Sequence, residues 1–232
     1  MFSLFLPVYN EERDLERNVE EIIKALGGMD FELFIVDDVS GDGTPTIGKR
    51  LAAEDPRVKY LRYEGTRPTR RENLAQSFKK ASGDVIGFID ADLSASPAYL
   101  PEMVGKMPEA DLVIGNRRHP QSETKRSLYR YTVSGLYTEF VKHYFGVEIK
   151  DFQCGLKVFR RDVILRLVEE AGYDDKAVRN FAWDVEILLR AKKKGYRIVE
   201  IPVKWVESNR TSTRAFRDMR MIPYLFGLKS RL

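Results

Sequence analysis

Apolar and polar positions alternate between two periods along this chain, and the changes of period mark out its elements. Phe2 to Val8 is an apolar run that predicts a strand. Asn10, followed by Glu11 and Glu12, reads as a helix cap with acids in the first turn. Leu15, Val19, Ile22, Ile23 and Leu26 then recur at helical spacing until Gly27-Gly28 stops them. Phe31 to Val36 predicts a second strand ending on Asp37-Asp38, and Gly41 to Pro45 a turn with a Thr cap and a helix to about Asp55. Val58 to Tyr63 alternates as a strand, Arg70 to Ala81 reads as a helix, and Asp84 to Ile89 is a nearly continuous apolar strand. Pro97 to Met107 predicts a helix and Ala110 to Gly115 a strand.

Strands and helices in strict alternation predict an α/β fold whose mostly parallel central sheet has helices on both faces. Ligands of such sheets bind at the carboxyl ends of the strands. Two acidic pairs fall there: Asp37 with Asp38, and Asp90 with Asp92. Beyond Gly115 the alternation stops. A basic loop, a helix from about Lys125 to Tyr144, a strand around Phe152 to Phe159, a helix after Arg161, a helix over Phe181 to Lys194 and a strand over Arg197 to Val206 read as additions that close over a nucleotide-binding first half.

Composition narrows the class. The 232 residues, 43% apolar and 32% charged, suit one globular domain. A single cysteine, Cys154, excludes an internal disulfide framework and a Cys-based zinc site. No signal-peptide pattern precedes the first apolar run, and no apolar stretch approaches the roughly 20 residues that span a bilayer. The expected location is therefore the cytosol, with any membrane contact peripheral. The net charge of +4 is uneven: Arg117 to Arg130 holds five basic residues against one acid, and Glu207 to Leu232 six against two. Such segments suit an anionic ligand or an acidic membrane surface, or are simply solvated faces. The aromatics lie mostly in predicted strands and helices rather than among exposed arginines, so a nucleic-acid stacking platform is not expected. A basic membrane-binding module without catalysis is the non-enzymatic alternative.

Asp90 and Asp92 flank one residue, Ala91, and two such hard carboxylates can share Mg²⁺ or Mn²⁺ whose other positions go to water and phosphates. The structural alternative ends the strand on Asp90, spends Asp92 on turn amides and lets Ser96 cap the next helix. A carboxylate at a strand end, as at Asp37-Asp38, can accept from ribose hydroxyls. Neither Gly-x-Gly-x-x-Gly nor Gly-x-x-x-x-Gly-Lys-Ser/Thr occurs, which disfavours dehydrogenases and P-loop enzymes and leaves a diphosphate to metal and arginines.

LFLPVYNEE, VDDVSGDGT and FIDADLS, in that order, resemble family 2 glycosyltransferases of the GT-A nucleotide-diphospho-sugar transferase fold. GNRR, KRSLYRYTVS and DFQCGLKVFRR are similar to the dolichyl- or polyprenyl-phosphate hexose synthase branch, over Leu4 to about Val206. The resemblance implies a nucleoside diphosphate sugar donor and an inverting, metal-dependent transfer to a polyprenyl (dolichyl) phosphate, with mannose from GDP-mannose ahead of glucose from UDP-glucose. It places Pro7, Tyr9, Glu11, Asp37 and Asp38 near the nucleotide, Asp90 and Asp92 at the metal with Ala91 between them, and Arg117, Arg130 and Ser134 at the lipid phosphate. Gln153 and Gly155 resemble the acceptor-side strand, where a small residue admits substrate, and Arg210 a loop that closes over donor and acceptor. Two departures stand out. Ser94 replaces a Gln common in this branch, and Arg70-Arg71-Glu72-Asn73 stands where relatives often carry Gly-Lys-Gly.

Asp184, near the start of a helix, is the candidate base if the acceptor is instead a saccharide or glycolipid hydroxyl; otherwise its charge complements the helix dipole. Arg130 and Ser134 lie one helical turn apart and share a face. Cys154 reads as a packed side chain, and His119 and His143 are assigned no role. The expected organisation is a catalytic domain over 1–209 and a basic amphipathic segment over 210–232. That segment suits either the membrane interface or packing on the body.

Overall fold

The computed structural model describes residues 1–69, 71–174, 179, 182–207 and 221–232. Its first half alternates as the periodicity predicts: β1 (Phe2–Val8), α1 (Leu15–Ala25), β2 (Phe31–Asp38), α2 (Thr44–Glu54), β3 (Val58–Tyr63), α3 (Glu72–Ser77), β4 (Val85–Ile89), α4 (Leu100–Gly105) and β5 (Leu112–Asn116). There follow β6 (Glu123–Lys125), α5 (Leu128–Phe145), β7 (Leu156–Arg160), α6 (Arg161–Ala171), α7 (Ala182–Lys193), β8 (Ile198–Pro202), β9 (Lys204–Val206) and α8 (Met221–Leu228).

Seven strands form one sheet in the order β3-β2-β1-β4-β7-β5-β8, and β6 pairs with β9 beside it. Only β7 runs antiparallel in the large sheet, against both β4 and β5. Successive side chains of β1 and β2 go to opposite faces, and both faces are covered. Leu4, Leu6, Leu33 and Ile35 pack with Leu15, Ile22, Leu51 and Met103 on one side. Phe5, Phe34 and Val36 pack with Phe78, Trp183, Leu188 and Leu225 on the other. Each fully buried Leu or Phe contributes about 1.5–3 kcal/mol.

Several boundaries differ from the sequence pattern, each for a local reason. Asn10 does not cap α1: its φ is +56°, and its Oδ1 instead accepts from Gly41 N at 2.8 Å. Asp14 is the residue before the helix. Thr44 is the first helical residue of α2 rather than its cap, and its Oγ1 accepts from Glu11 N at 2.8 Å. The α3 segment is α-helical only to Ser77 and continues as a 3-10 turn over Phe78–Lys80; Ser77 Oγ donates back to Asn73 O at 2.8 Å. Pro97 to Met107 is likewise divided, with 3-10 turns over Pro97–Tyr99 and Met107–Glu109 around a short helix. Lys125, the predicted start of the long helix, instead ends the short strand β6 that pairs with β9, and α5 starts after Ser127, whose side chain accepts from Arg130 N. The last predicted strand breaks at Val203, where β8 follows β5 and β9 follows β6.

Of the C-terminal segment, 221–232 is described, and Leu225 and Leu228 are fully buried in the core. No helix among the described residues is long and apolar enough to cross a membrane.

Candidate active site

The sheet brings three strand ends together. Val8 of β1 lies opposite Asp37 of β2, and Phe5 of β1 opposite Phe88 of β4. The crevice between β1 and β4, where strand order reverses, is the position at which open α/β sheets bind ligands. Above it, Asn10 N donates to Ser40 Oγ at 3.0 Å and Gly43 N to Glu12 Oε2 at 2.7 Å. The two turns are thereby laced into one platform.

Asp37 and Asp38 both belong to that platform. Asp37, fully buried, accepts from Ser40 N at 2.8 Å, Arg62 at 3.3 Å and the Tyr60 hydroxyl. Asp38 accepts from Thr69 N and Asn73 Nδ2, both at 2.7 Å. It thereby fastens Thr69 and the first turn of α3 to the strand end. Pro7 lies in β1, Tyr9 is exposed at its end, and Glu11 follows in the turn.

Asp90 and Asp92 project from the turn after β4. Asp90 N donates to Gly155 O at 2.9 Å, and Asp92 Oδ1 accepts from Ser94 N at 3.0 Å. Asp92 keeps solvent access, yet the protein around its recess and the Asp90 charge beside it raise its carboxyl above the ordinary range. Ser94 Oγ is buried with no hydrogen-bond partner among the described residues. Among the described residues no group of three or more His, Cys, Asp or Glu converges. The donor set is therefore two hard carboxylates, which fits a cation that completes its shell from phosphate and water.

Arg71, from the loop that departs from the family pattern, reaches Asp90 Oδ1 at 2.8 Å and Asp184 Oδ2 at 3.0 Å. Its guanidinium lies 4.6 Å from the Phe88 ring centre. Lys157 of β7 holds the other Asp184 oxygen at 2.7 Å. Burial would raise the Asp184 carboxyl, but Arg71 and Lys157 outweigh it and hold it below the ordinary range. A carboxylate clamped by two cations is weakly basic.

The predicted acceptor residues are brought to one region, with partners the sequence did not suggest. Arg117 forms a two-pronged pair with Asp151 at 2.7 and 2.8 Å. Arg130 pairs with Glu207. Ser134 Oγ accepts from Arg118 at 2.6 Å and Arg126 at 2.8 Å. Arg117, Arg118, Arg126, Thr124, Tyr131 and Trp205 line a small surface cleft. Arg126 Nε is buried with no hydrogen-bond partner among the described residues; burial and the like charge of Arg117 push the Arg126 pKa down to about 10. Such a field is relieved by an anion. In sequence Arg118 and Arg126 belong to a basic segment and to the GNRR and KRSLYRYTVS motifs, which carry no cue that both converge on Ser134.

Gln153 N donates to Asp151 at 3.1 Å. Gly155 is small for a reason the family pattern did not supply: Asp90, not substrate, occupies the space a side chain would fill. Burial pushes the Cys154 thiol up to about 12, which keeps it inert near neutrality. Arg210 lies outside the described residues.

A model of glycosyl transferase family 2 matches residues 3–168. Glycosyltransferase AglD of Haloferax volcanii is 33% identical over 223 residues, covering 94% of this chain and 35% of AglD. Undecaprenyl-phosphate mannosyltransferase of Micrococcus luteus is 30% identical over 214 residues, covering 87% of this chain and 82% of that protein. The chain thus spans about a third of the length of AglD. Glucosyl-3-phosphoglycerate synthase from Mycobacterium tuberculosis, crystallised with Mn²⁺, uridine diphosphate and phosphoglyceric acid, aligns over 100% of this chain and 78% of that one, with a TM-score of 0.69 and 19% identity. That likeness establishes the GT-A fold. By its sequence match over both acidic strand ends, this chain belongs to glycosyl transferase family 2.

Proposed function

We propose that this chain carries the catalytic site of an inverting glycosyltransferase that moves a hexose from a nucleoside diphosphate sugar to a polyprenyl (dolichyl) phosphate. Mannose from GDP-mannose is the first assignment and glucose from UDP-glucose the second. The observation that carries the reading is the cleft of Arg117, Arg118 and Arg126 at Ser134, with Arg117 within electrostatic reach of Asp90. A phosphomonoester has a second pKa of about 6 and is largely anionic at neutral pH. It needs cations to hold it rather than a base to activate it. The clamped state of Asp184 agrees, since a hydroxyl acceptor would call on that carboxylate as base. The Micrococcus luteus relative, by name, uses an undecaprenyl phosphate.

In this reading Asp90 and Asp92 would hold Mg²⁺ or Mn²⁺, which would supply positive charge beside a departing diphosphate. Tyr9, Glu11 and Asp38 face the nucleotide from the strand ends. Arg118 and Arg126 orient the acceptor phosphate through the Ser134 side of the cleft, with Arg117 and Arg130 setting the surrounding charge. One acceptor oxygen forms the new bond to the anomeric carbon from the face opposite the diphosphate. The old carbon–oxygen bond breaks, and its electron pair leaves with the nucleoside diphosphate. Leu128, Tyr129 and Leu136 are exposed on α5, the helix that carries Ser134, and we place them against the membrane surface.

Incubation with radiolabelled GDP-mannose or UDP-glucose and a polyprenyl phosphate tests this. Label in a mild-acid-labile lipid product supports the proposal. Label only in an acid-stable glycoside sinks it in favour of hydroxyl transfer.

A further inference from the structure

Arg71 spans two carboxylates that differ in exposure. Its Nε holds Asp184, whose side chain is 6% exposed, and its outer nitrogen holds Asp90, which is 41% exposed. The inner contact is a buried anchor, reinforced by Lys157 on the other Asp184 oxygen and by the Phe88 ring beneath the guanidinium. The outer contact is half exposed on the Asp90 side, while the Arg71 side chain is 14% exposed. The backbone is also fixed, because Arg71 O accepts from Ala75 N at 2.8 Å in the first turn of α3. The guanidinium can therefore give up Asp90 without leaving its place.

We propose that Arg71 is the resident counter-cation of Asp90 and that a divalent cation binding at Asp90 and Asp92 must displace it. The proposal rests on the reading of that pair as the metal site. An oxygen-bound Mg²⁺ or Mn²⁺ places two positive charges where Arg71 already places one, and like charges at this range oppose each other strongly. The divalent ion gains from both Asp90 and Asp92, whereas Arg71 touches only Asp90 of the two. The exchange therefore favours the metal, at a cost in affinity set by the arginine. Once displaced, the outer N–H groups remain hinged on Asp184 and are left to meet further anionic oxygens, which a diphosphate would bring.

The test is direct titration of Mn²⁺, without donor, followed by the electron paramagnetic resonance signal of the free aqua ion. Arg71→Gln is expected to bind Mn²⁺ about tenfold more tightly than the unaltered chain. Asp184→Asn, which removes the anchor and lets Arg71 settle on Asp90, is expected to weaken binding. The same change made on top of Arg71→Gln is expected to do little. An equal loss in both backgrounds would mean that Asp184 acts only as a distant negative charge, and would overturn the proposal. So would unchanged or weaker binding in Arg71→Gln. Should that variant not fold, Arg71→Lys keeps a cation but loses the fork that serves two carboxylates at once. It is expected to tighten binding by a smaller factor, and no tightening there also overturns the exchange. The control is Asp90→Asn with Asp92→Asn. If that double variant binds Mn²⁺ as the unaltered chain does, the metal reading itself fails. If it loses binding while the Arg71 variants behave as the unaltered chain, only the exchange fails.

Discussion

A methyl group on Gly155 would stand 1.8 Å from Asp90 Oδ2, so the backbone of residue 155 and a candidate metal carboxylate share one space. The same two residues are joined by the 2.9 Å bond from Asp90 N to Gly155 O. Gly155→Ala is therefore expected to force Asp90 out of position. Overpacking of this kind costs about 1–3 kcal/mol of stability, and a displacement of about 1 Å at a reacting centre costs on the order of 100-fold in rate. Steady-state kinetics together with a thermal melt checks this. A variant that folds and transfers sugar at the unaltered rate would show that the Asp90 position is not critical.

Arg118 and Arg126 meet on one hydroxyl, Ser134 Oγ. If they orient the acceptor phosphate, Arg118→Ala and Arg126→Ala should each raise KM for polyprenyl phosphate and leave KM for the sugar nucleotide within about twofold. A hydrogen bond from a charged group contributes about 1.5–3 kcal/mol, which corresponds to roughly 10- to 100-fold in the acceptor term. Equal effects on both substrates would place these arginines outside acceptor recognition.

Arg117 and Asp151 are almost wholly buried, with side chains 12% and 2% exposed. Burial would raise the Asp151 carboxyl, but Arg117 outweighs it and holds it below the ordinary range. A depressed folded-state pKa means that the unfolded chain takes up the proton first as pH falls. The pair's contribution is therefore complete above the ordinary aspartate value of about 3.9 and is lost as pH drops through the lower folded value. Asp151→Asn should unfold more easily in urea at pH 7, and its stability should fall less steeply with acid below about pH 4. Parallel acid profiles for the two proteins would contradict this.

The strand ends were legible because apolar runs that stop at carboxylates are local signals, and β1, β2 and β4 lie where Phe2–Val8, Phe31–Val36 and Asp84–Ile89 predict them. Strand direction is not local. Nothing in LKVFR distinguishes the antiparallel β7 from its parallel neighbours, and that reversal is what carries Lys157 and Gly155 into the site. Asn10 shows the same limit at short range: Asn followed by two acids fits a cap, but a bond to a turn 31 residues away decides its role. In sequence Arg71 stands out as part of a departure from Gly-Lys-Gly near the start of a predicted helix, but nothing there points to Asp184, 113 residues further on. The candidate acids could thus be named from sequence, whereas the cations that neutralise them could not.

Arg179 uses all five of its N–H donors in the interior. It donates to Glu72 through two nitrogens at 2.8 and 2.5 Å, to Glu186 at 3.1 Å, and to the carbonyl oxygens of Ala171 and Gly172 at 3.0 and 2.8 Å. Its side chain is 1% exposed, and Glu72 and Glu186 are 3% and 1% exposed. Arg179→Met leaves Glu72 without this cation and Glu186 with Arg190 and the Tyr224 hydroxyl. Removing one partner of a buried ion pair costs about 3–5 kcal/mol, so the urea midpoint should fall sharply. Lysine has three donors on one atom and cannot reproduce the fork; Arg179→Lys should recover less than half of the loss. Replacing the acids as well, with Glu72→Gln and Glu186→Gln added to Arg179→Met, should recover more than lysine does, because a buried ionic network costs most when only one member is removed. If the triple variant is less stable than Arg179→Met alone, packing rather than charge governs this part of the core.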